Sequence, residues 1–350
     1  MISYRNSDDY DKRSRRKQVR RKRAFHRAAC ITLCLFMAAT VFGAVSLISA
    51  DKEASPSGKR SAGNTGEYSQ MDGRQSEKGS ADANQANLIS ADIRAENAIV
   101  INTGANTVLY QKNSTDEIAP ASTAKMITAL TALDYCSPED ELTVGGEIEM
   151  IQEDSSRAWL TRGDILTVRQ LLIALMLPSG NDAAYTLAVN AGKSIAGDNS
   201  LTNKQSVDIF MGKVNEKARA LGAEKSNFVV PDGYDAEGQY TTAYDLAVIA
   251  KACLDNPIIS EIVASYTSYE KWVNGREVTY NNTNELLNPD SQYYRPEVIG
   301  LKTGNSSLSG ACLISAAVIN GETYICVMMR STKDARFQDS VDIYDEIKNQ

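Results

Sequence analysis

The chain has 350 residues and 43% apolar content, enough for one large domain or two smaller ones once any tails are set aside. Its net charge of −7 conceals an asymmetry: residues 1–27 carry eleven Lys/Arg against three Asp, which leaves the remainder strongly acidic. That acidic body argues against nucleic acid as a partner. The single histidine, His26 in the basic head, excludes a Ser-His-Asp triad, a Cys-His pair and His-ligated zinc from everything after it.

Residues 28–50 (AACITLCLFMAATVFGAVSLISA) carry no charge and are long enough to span a bilayer as a helix. The basic residues before them place the N-terminus in the cytoplasm. A cleaved signal peptide is the competing reading, but its apolar region is usually shorter, and Ile48-Ser49-Ala50 is a poor cleavage site. The expectation is therefore a basic cytoplasmic tail over 1–27 and a single-pass membrane anchor over 28–50. A flexible Ser/Gly/Asn-rich tether would follow over 51–90, and a folded extracytoplasmic body over 91–350.

The body opens with a hairpin pattern: Ala98-Ile99-Val100-Ile101 and Thr107-Val108-Leu109-Tyr110 flank Thr103-Gly104-Ala105-Asn106. Pro120-Ala121-Ser122 leads into AKMITALTAL, whose Met126, Ile127, Leu130 and Leu133 recur at helical spacing. Val168–Leu177 reads as an apolar helix ended by Pro178-Ser179-Gly180-Asn181, and 182–191 and 206–221 read as two more. Thr241–Leu254 follows as another, with Thr242 as N-cap and Asp245 at its third position. The last fifty residues change period. Strands are expected at Val298–Leu301, Ala311–Ile319 and Thr323–Met329, the last two joined at Asn320-Gly321. Phe337, Val341, Tyr344 and Ile347 then form the stripe of a closing helix. Strands at both ends with helices between them predict an α/β fold: one antiparallel sheet flanked by helices, plus a helical lobe.

Of six cysteines, Cys30 and Cys34 lie in the apolar run and the other four are scattered without Cys-x-x-Cys or metal-ligand spacing, so neither metal nor cofactor is expected. A two-residue turn at Asn320-Gly321 sets Cys312 opposite Met329 and Cys326 opposite Ser315. The two thiols then point to opposite faces, and no disulfide joins them.

Three short motifs carry chemistry. Ser122 and Lys125 are three apart at a helix start and share a face. A serine hydroxyl needs a base, and a lysine serves if burial lowers its pKa. Ser179-Gly180-Asn181 sits at a helix-to-helix break, where a hydroxyl and an amide can face a cleft. Lys302-Thr303-Gly304 ends an apolar strand; an ammonium and a hydroxyl there suit a carboxylate, and a glycine lets a ligand backbone approach. Singly, each has a plainer reading: a cap with a surface lysine, an ordinary turn, and a strand running into a turn with a solvated lysine.

Together and in this order the three resemble the signature of β-lactamases and penicillin-binding proteins. Over about 95–350 the chain resembles the low-molecular-mass penicillin-binding proteins, the serine D-Ala-D-Ala carboxypeptidases. IVINTGANTVLYQKN, PASTAKMITAL, PSGNDAAYTLA, DGYDAEGQYTTAYDLAVIA, NTNELL, GLKTGNSSLSGACLISAA and RFQDS carry the resemblance. It implies a β-lactamase/transpeptidase-like fold, with Ser122 as acylated nucleophile, Lys125 as general base and Ser179 as proton relay. Asn181 would bind the peptide, Lys302 and Thr303 would hold its terminal carboxylate beside Gly304, and the backbone N–H groups of Ser122 and Asn305 would form an oxyanion hole. The implied substrate is a peptidoglycan stem peptide ending in D-Ala-D-Ala, with β-lactams as covalent inhibitors and a role in cell-wall construction and cell shape. Asn305 stands where His is common in the family, and only its backbone is needed. The family's second β-rich domain and C-terminal amphipathic anchor are expected to be missing, with the N-terminal span taking the anchor's place.

Three other readings share the motifs. A β-lactamase needs Glu-x-x-x-Asn soon after the second motif, and between Asn181 and Asp235 there is none; Glu270…Asn274 and Glu277…Asn281 have the spacing in a strand-like stretch. A membrane-tethered β-lactam sensor would keep Ser122 and Lys125 without turnover. A DD-endopeptidase would use the same residues on a crosslink.

Overall fold

The computed structural model describes residues 88–350; the basic head, the apolar run and nearly all of the tether expected over 51–90 lie outside them. The first core residue is Ile89, 1% exposed, two residues ahead of the boundary expected at 91.

A five-stranded antiparallel sheet joins the two ends of the body. In chain order its strands are β1 (Asn97–Asn102), β2 (Thr107–Lys112), β7 (Val298–Ser306), β8 (Gly310–Ile319) and β9 (Glu322–Ser331), and their spatial order is β2-β1-β9-β8-β7. The first hairpin closes where Asn102 Oδ1 accepts the N–H groups of Gly104 and Ala105, each at 2.9 Å, in an Asx turn, while Thr103 ties it to Thr323 O. Between the halves of the sheet run two short ribbons, β3 (Glu141–Thr143) with β4 (Ile165–Thr167) and β5 (Thr267–Lys271) with β6 (Glu277–Asn281). Six helices share this middle stretch: α1 (Lys125–Tyr135), α2 (Val168–Met176), α3 (Asn181–Ala196), α4 (Asn203–Leu221), α5 (Ala243–Asp255) and α6 (Pro257–Val263). A seventh, α7 (Ala335–Asn349), closes the chain.

Local chemistry explains where the helices start and stop. Thr167 and Thr202 form capping boxes with Gln170 and Gln205 at the heads of α2 and α4. Thr242 caps α5 by accepting from Asp245 N, as its position predicts. Gly197 and Gly222 end α3 and α4 in the left-handed conformation.

The sheet is covered on both sides, which is why its strands are almost continuously apolar. Ile99, Ile101, Ile314, Ile325 and Val327 face the helical lobe and join one core with α1, α2, α3 and α5. Ala98, Val100, Leu313, Cys326 and Met328 face the other way, against the stripe Phe337, Val341, Tyr344 and Ile347 of α7. Ser315 pairs with Cys326 as the turn arithmetic requires. A bulge between Ala311 and Leu313, with Arg330 at φ 52°, then shifts the register, so Cys312 falls in the bulge instead of facing Met329. The two thiols nevertheless sit in separate cores on opposite faces, and burial pushes Cys326 up to about 12. Among the described residues no helix is long and apolar enough to cross a membrane.

Candidate active site

Ser122 does not lie in an α-helix. It sits in a 3-10 turn, Ala121–Ala124, that feeds directly into α1 at Lys125. Thr123 holds the turn by donating its hydroxyl to Pro120 O at 2.6 Å. Residues three apart eclipse one another in a 3-10 turn, so Ser122 and Lys125 project to the same side more closely than an α-helix would bring them. Lys125 is fully buried, against the plainer reading of a surface lysine. Its Nζ has three partners: Ser122 Oγ at 2.8 Å, Asn181 Oδ1 at 2.7 Å and the backbone O of Asp232 at 2.8 Å.

The direction of these contacts matters. Asn181 Oδ1 and Asp232 O can only accept, so they take hydrogens from Lys125 in either charge state. A neutral amine has two hydrogens and one lone pair. With both hydrogens engaged, the lone pair is left for the hydroxyl of Ser122, which is the arrangement of a general base. Burial pushes Lys125 down to about 8, while the nearby carboxylates of Asp232 and Asp182 work in the opposite direction. In turn, burial holds the carboxyl of Asp232 above its ordinary value, against the pull of Lys125.

Lys302, Thr303 and Gly304 lie in the middle of β7, which runs on to Ser306, rather than at its end; β7 is an edge strand of the sheet. Lys302 is fully buried, not solvated, and its Nζ reaches only Thr303 O, at 3.1 Å. Burial, then the positive charges of Lys125 and Arg336, push it well below the ordinary lysine value. Thr303 Oγ1 meets Thr283 Oγ1 at 2.6 Å. At Gly304 a side chain would meet Ala121 and Thr123 at 3.2 Å, so the room it leaves is taken up by the Ser122 turn of this same chain. Arg336, at the head of α7, donates to Gly304 O and Cys312 O at 2.9 and 3.1 Å and so braces β7 from behind.

Ser179 stands at φ 66°, and its buried Oγ has no hydrogen-bond partner, so it bonds to neither Ser122 nor Lys125. Its neighbour Gly180 has no room for a side chain, which would lie 2.6 Å from Ala158 Cβ and 2.8 Å from Ala174 O. This packing turns the chain so that Asn181, first residue of α3, reaches Lys125.

A cleft of about 360 Å³ opens in front of these groups, lined by Ser122, Asn181 and Asn305 together with residues to which sequence reasoning assigned no role. Asp154, Ser155 and Ser156 form one wall, Gly233, Tyr234 and Asp235 a second, and Ser306 and Ser307 extend the β7 wall. The second wall is tied to both others: Tyr234 donates its hydroxyl to Asp154 at 3.0 Å, and Asp235 accepts from Ser307 Oγ at 3.0 Å. Residues 154–156 sit in a stretch without periodicity, so nothing in the sequence marks them. Residues 232–238 fall inside a recognisable motif, but only the fold brings them over Lys125. The arrangement unites Ser122, Lys125 and Asn181 in direct contact, sets Asn305 in the same cleft and Lys302 close enough to feel the charge of Lys125, and leaves Ser179 enclosed beside them.

Comparison with known proteins agrees with this architecture. A family model described as D-alanyl-D-alanine carboxypeptidase matches residues 81–333. The D-alanyl-D-alanine carboxypeptidase of Streptomyces sp. strain K15 is 33% identical over 265 residues, covering 72% of this chain and 86% of that protein. The crystal structure of the Streptomyces K15 DD-transpeptidase superposes with a TM-score of 0.67 at 32% identity, over 74% of this chain and 98% of the other. The D-alanyl-D-alanine carboxypeptidase DacF of Bacillus subtilis is 30% identical over 227 residues; they cover 64% of this chain and 54% of DacF, so the chain spans about half the length of that relative.

Proposed function

The chain belongs to the D-alanyl-D-alanine carboxypeptidase family, a family of serine peptidases, and from that premise we propose that it removes the terminal D-alanine from peptidoglycan stem peptides through an acyl-enzyme on Ser122. The observation that carries this reading is the environment of Lys125: a buried amine with its hydrogens engaged by two acceptors and its remaining valence toward Ser122 Oγ at 2.8 Å.

In this reading Ser122 Oγ attacks the carbonyl carbon of the penultimate D-alanine while its proton passes to the neutral amine of Lys125. The backbone N–H groups of Ser122 and Asn305 receive the oxyanion, a contribution of about 3–4 kcal/mol per donor in comparable sites. The C–N bond then breaks, and the leaving amine of the terminal D-alanine takes the proton back from Lys125, relayed by the hydroxyl of Ser179, which is otherwise unpartnered. Water hydrolyses the resulting ester with Lys125 again accepting a proton, and Ser122 is restored. Asn181 binds the peptide backbone, and Lys302 with Thr303 holds the free carboxylate; the single hydrogen bond made by the Lys302 ammonium leaves it donors for that anion. A β-lactam would acylate Ser122 by the same first step, with no leaving amine to depart.

The same reading assigns residues 28–50 as a membrane anchor with the catalytic body outside the cytoplasm, supported by the uncharged 23-residue run behind a basic head. The test is labelling of the full-length protein with a fluorescent penicillin, followed by measurement of D-alanine release from a pentapeptide. The parent is expected to do both and Ser122→Ala neither. Labelling without release would point to a sensor, and no labelling of the parent would refute the assignment of Ser122.

A further inference from the structure

The segment that walls the cleft opposite β7 is fastened to the Ser179-Gly180-Asn181 turn by its own set of hydrogen bonds, and at their centre is Ser156. Its hydroxyl lies 2.6 Å from the carbonyl of Ser179 and 3.3 Å from Asn181 Oδ1, while its own carbonyl accepts the N–H of Asn181 at 2.9 Å. Asp182, the residue after Asn181, locks the segment in place, accepting from Ala158 N at 2.9 Å and Leu160 N at 3.0 Å with a carboxylate that is itself buried.

A serine hydroxyl has one hydrogen, and both of its neighbours here are acceptors. That hydrogen goes at 2.6 Å to the carbonyl of Ser179, a non-glycine residue held at φ 66°, and reaches Asn181 Oδ1 at 3.3 Å only as the weaker arm of a bifurcated bond. Left-handed backbone at such a residue persists only when its surroundings over-determine it. The same Asn181 Oδ1 takes a hydrogen from Lys125 Nζ at 2.7 Å. We propose that Ser156 is a positioning residue for the reaction: it holds the strained Ser179 turn and, through Asn181, fixes the amine of Lys125 against Ser122. This inference rests on the acyl-transfer reading above and names a residue that none of the three motifs contains.

The charges around Lys125 determine what the test reads. Asp232 faces it from the loop above, Asp182 from α3, and Lys302 from β7. Without the Ser156 hydroxyl Asn181 Oδ1 keeps Lys125 as its one partner and the turn that carries it loses its anchor at Ser179 O, so the amide is held less firmly against Lys125. The ammonium of Lys125 then has a weaker charge-assisted acceptor while its burial stays the same, so the neutral amine is favoured.

The experiment compares rates of acylation by a chromogenic or fluorescent β-lactam across pH for the full-length parent, Ser156→Ala and Ser156→Thr. Ser156 is exposed, so removing its hydroxyl opens no cavity; Ser156→Ala is expected to lower the melting temperature only by what one lost hydrogen bond costs, and to unfold in the same single transition as the parent. For Ser156→Ala the plateau rate is expected to fall by about tenfold or more, with the acid limb displaced to lower pH, and Ser156→Thr, which keeps the donor, is expected to recover both. The inference is overturned if Ser156→Ala acylates within about twofold of the parent with an unmoved acid limb, or if Ser156→Thr fails to recover what Ser156→Ala loses. A parent that does not acylate at all would instead overturn the underlying reading.

Discussion

At the scale of single residues, the site depends on two lysines placed where lysine is costly. Lys125 and Lys302 are both fully buried, neither has a carboxylate within ion-pair distance, and the charge of Lys125 disfavours that of Lys302. An isolated buried ammonium tends to shed its proton. For Lys125 that tendency is what a base requires, and with the group pushed down to about 8 the sign of the pH dependence follows. Only the neutral amine can accept the proton of Ser122, so acylation should rise with pH to half its plateau near 8. Below that point it should fall about tenfold per unit as the ammonium takes over. Acylation rates by a β-lactam between pH 6 and 10 measure this; a flat profile would mean that Lys125 is not the group that titrates. Ser122, Lys125, Asn181 and Lys302 were all legible in the sequence because their spacing repeats a known order. The burial of the two lysines was not, since it is produced by elements far away in the chain: α3, the 231–239 loop and β7.

At the scale of elements, the decisive one is the loop between α4 and α5. Pro231 O accepts from Thr128 Oγ1 at 2.7 Å and Asp232 O from Lys125, and Tyr234 and Asp235 fasten the flanking walls. At Gly233, φ 79°, a side chain would run into Ala121 O, so the loop rests directly on the 3-10 turn that carries Ser122. Gly233→Ala should therefore lift the loop, remove an acceptor from Lys125 and depress β-lactam acylation by at least about tenfold, with a stability loss of about 1–3 kcal/mol seen as a lower melting temperature. Gly238→Ala is the control: at φ 78° and with open space around it, it carries the same backbone strain but should leave acylation unchanged. Equal losses in the two variants would mean that the contact with Ala121 is unimportant. The DGYDAEGQ stretch was recognisable in the sequence, but not what it does, because its contacts are made by backbone atoms and by residues some eighty positions away.

At the scale of the whole molecule, the two ends of the body meet in one sheet, and the cleft opens where that sheet abuts the helical lobe. One continuous apolar core runs from Ile99 and Ile314 in the sheet through Met126 and Leu172 to Phe210 in α4, so lobe and sheet are not separable units. Residues 88–350, expressed without the preceding segment, are then expected to unfold in a single thermal transition and to label with penicillin as the full chain does. Two resolved transitions, or loss of labelling, would show that the boundary or the shared core is misjudged.

The amino-acid order alone determined the first hairpin, the three C-terminal strands and most of the helices, but not β3, β4, α6 or the bulge that shifts β8 against β9. Strand and helix periods, the Asn320-Gly321 turn and the capping residues are local signals, and the sheet follows once strands occupy both ends of the body. It also determined which hydroxyl, amine and amide are candidates for chemistry, since these sit in short motifs. Tertiary structure decided the rest: that Ser122 occupies a 3-10 turn, that Lys302 lies in mid-strand, that Gly304 makes room for the chain's own turn, and that residues 154–156 and 232–235 enclose the cleft. The reason is physical. A pKa is set by what surrounds a group in space, and a cleft by which walls approach one another; both depend on packing between segments that no short window of sequence contains.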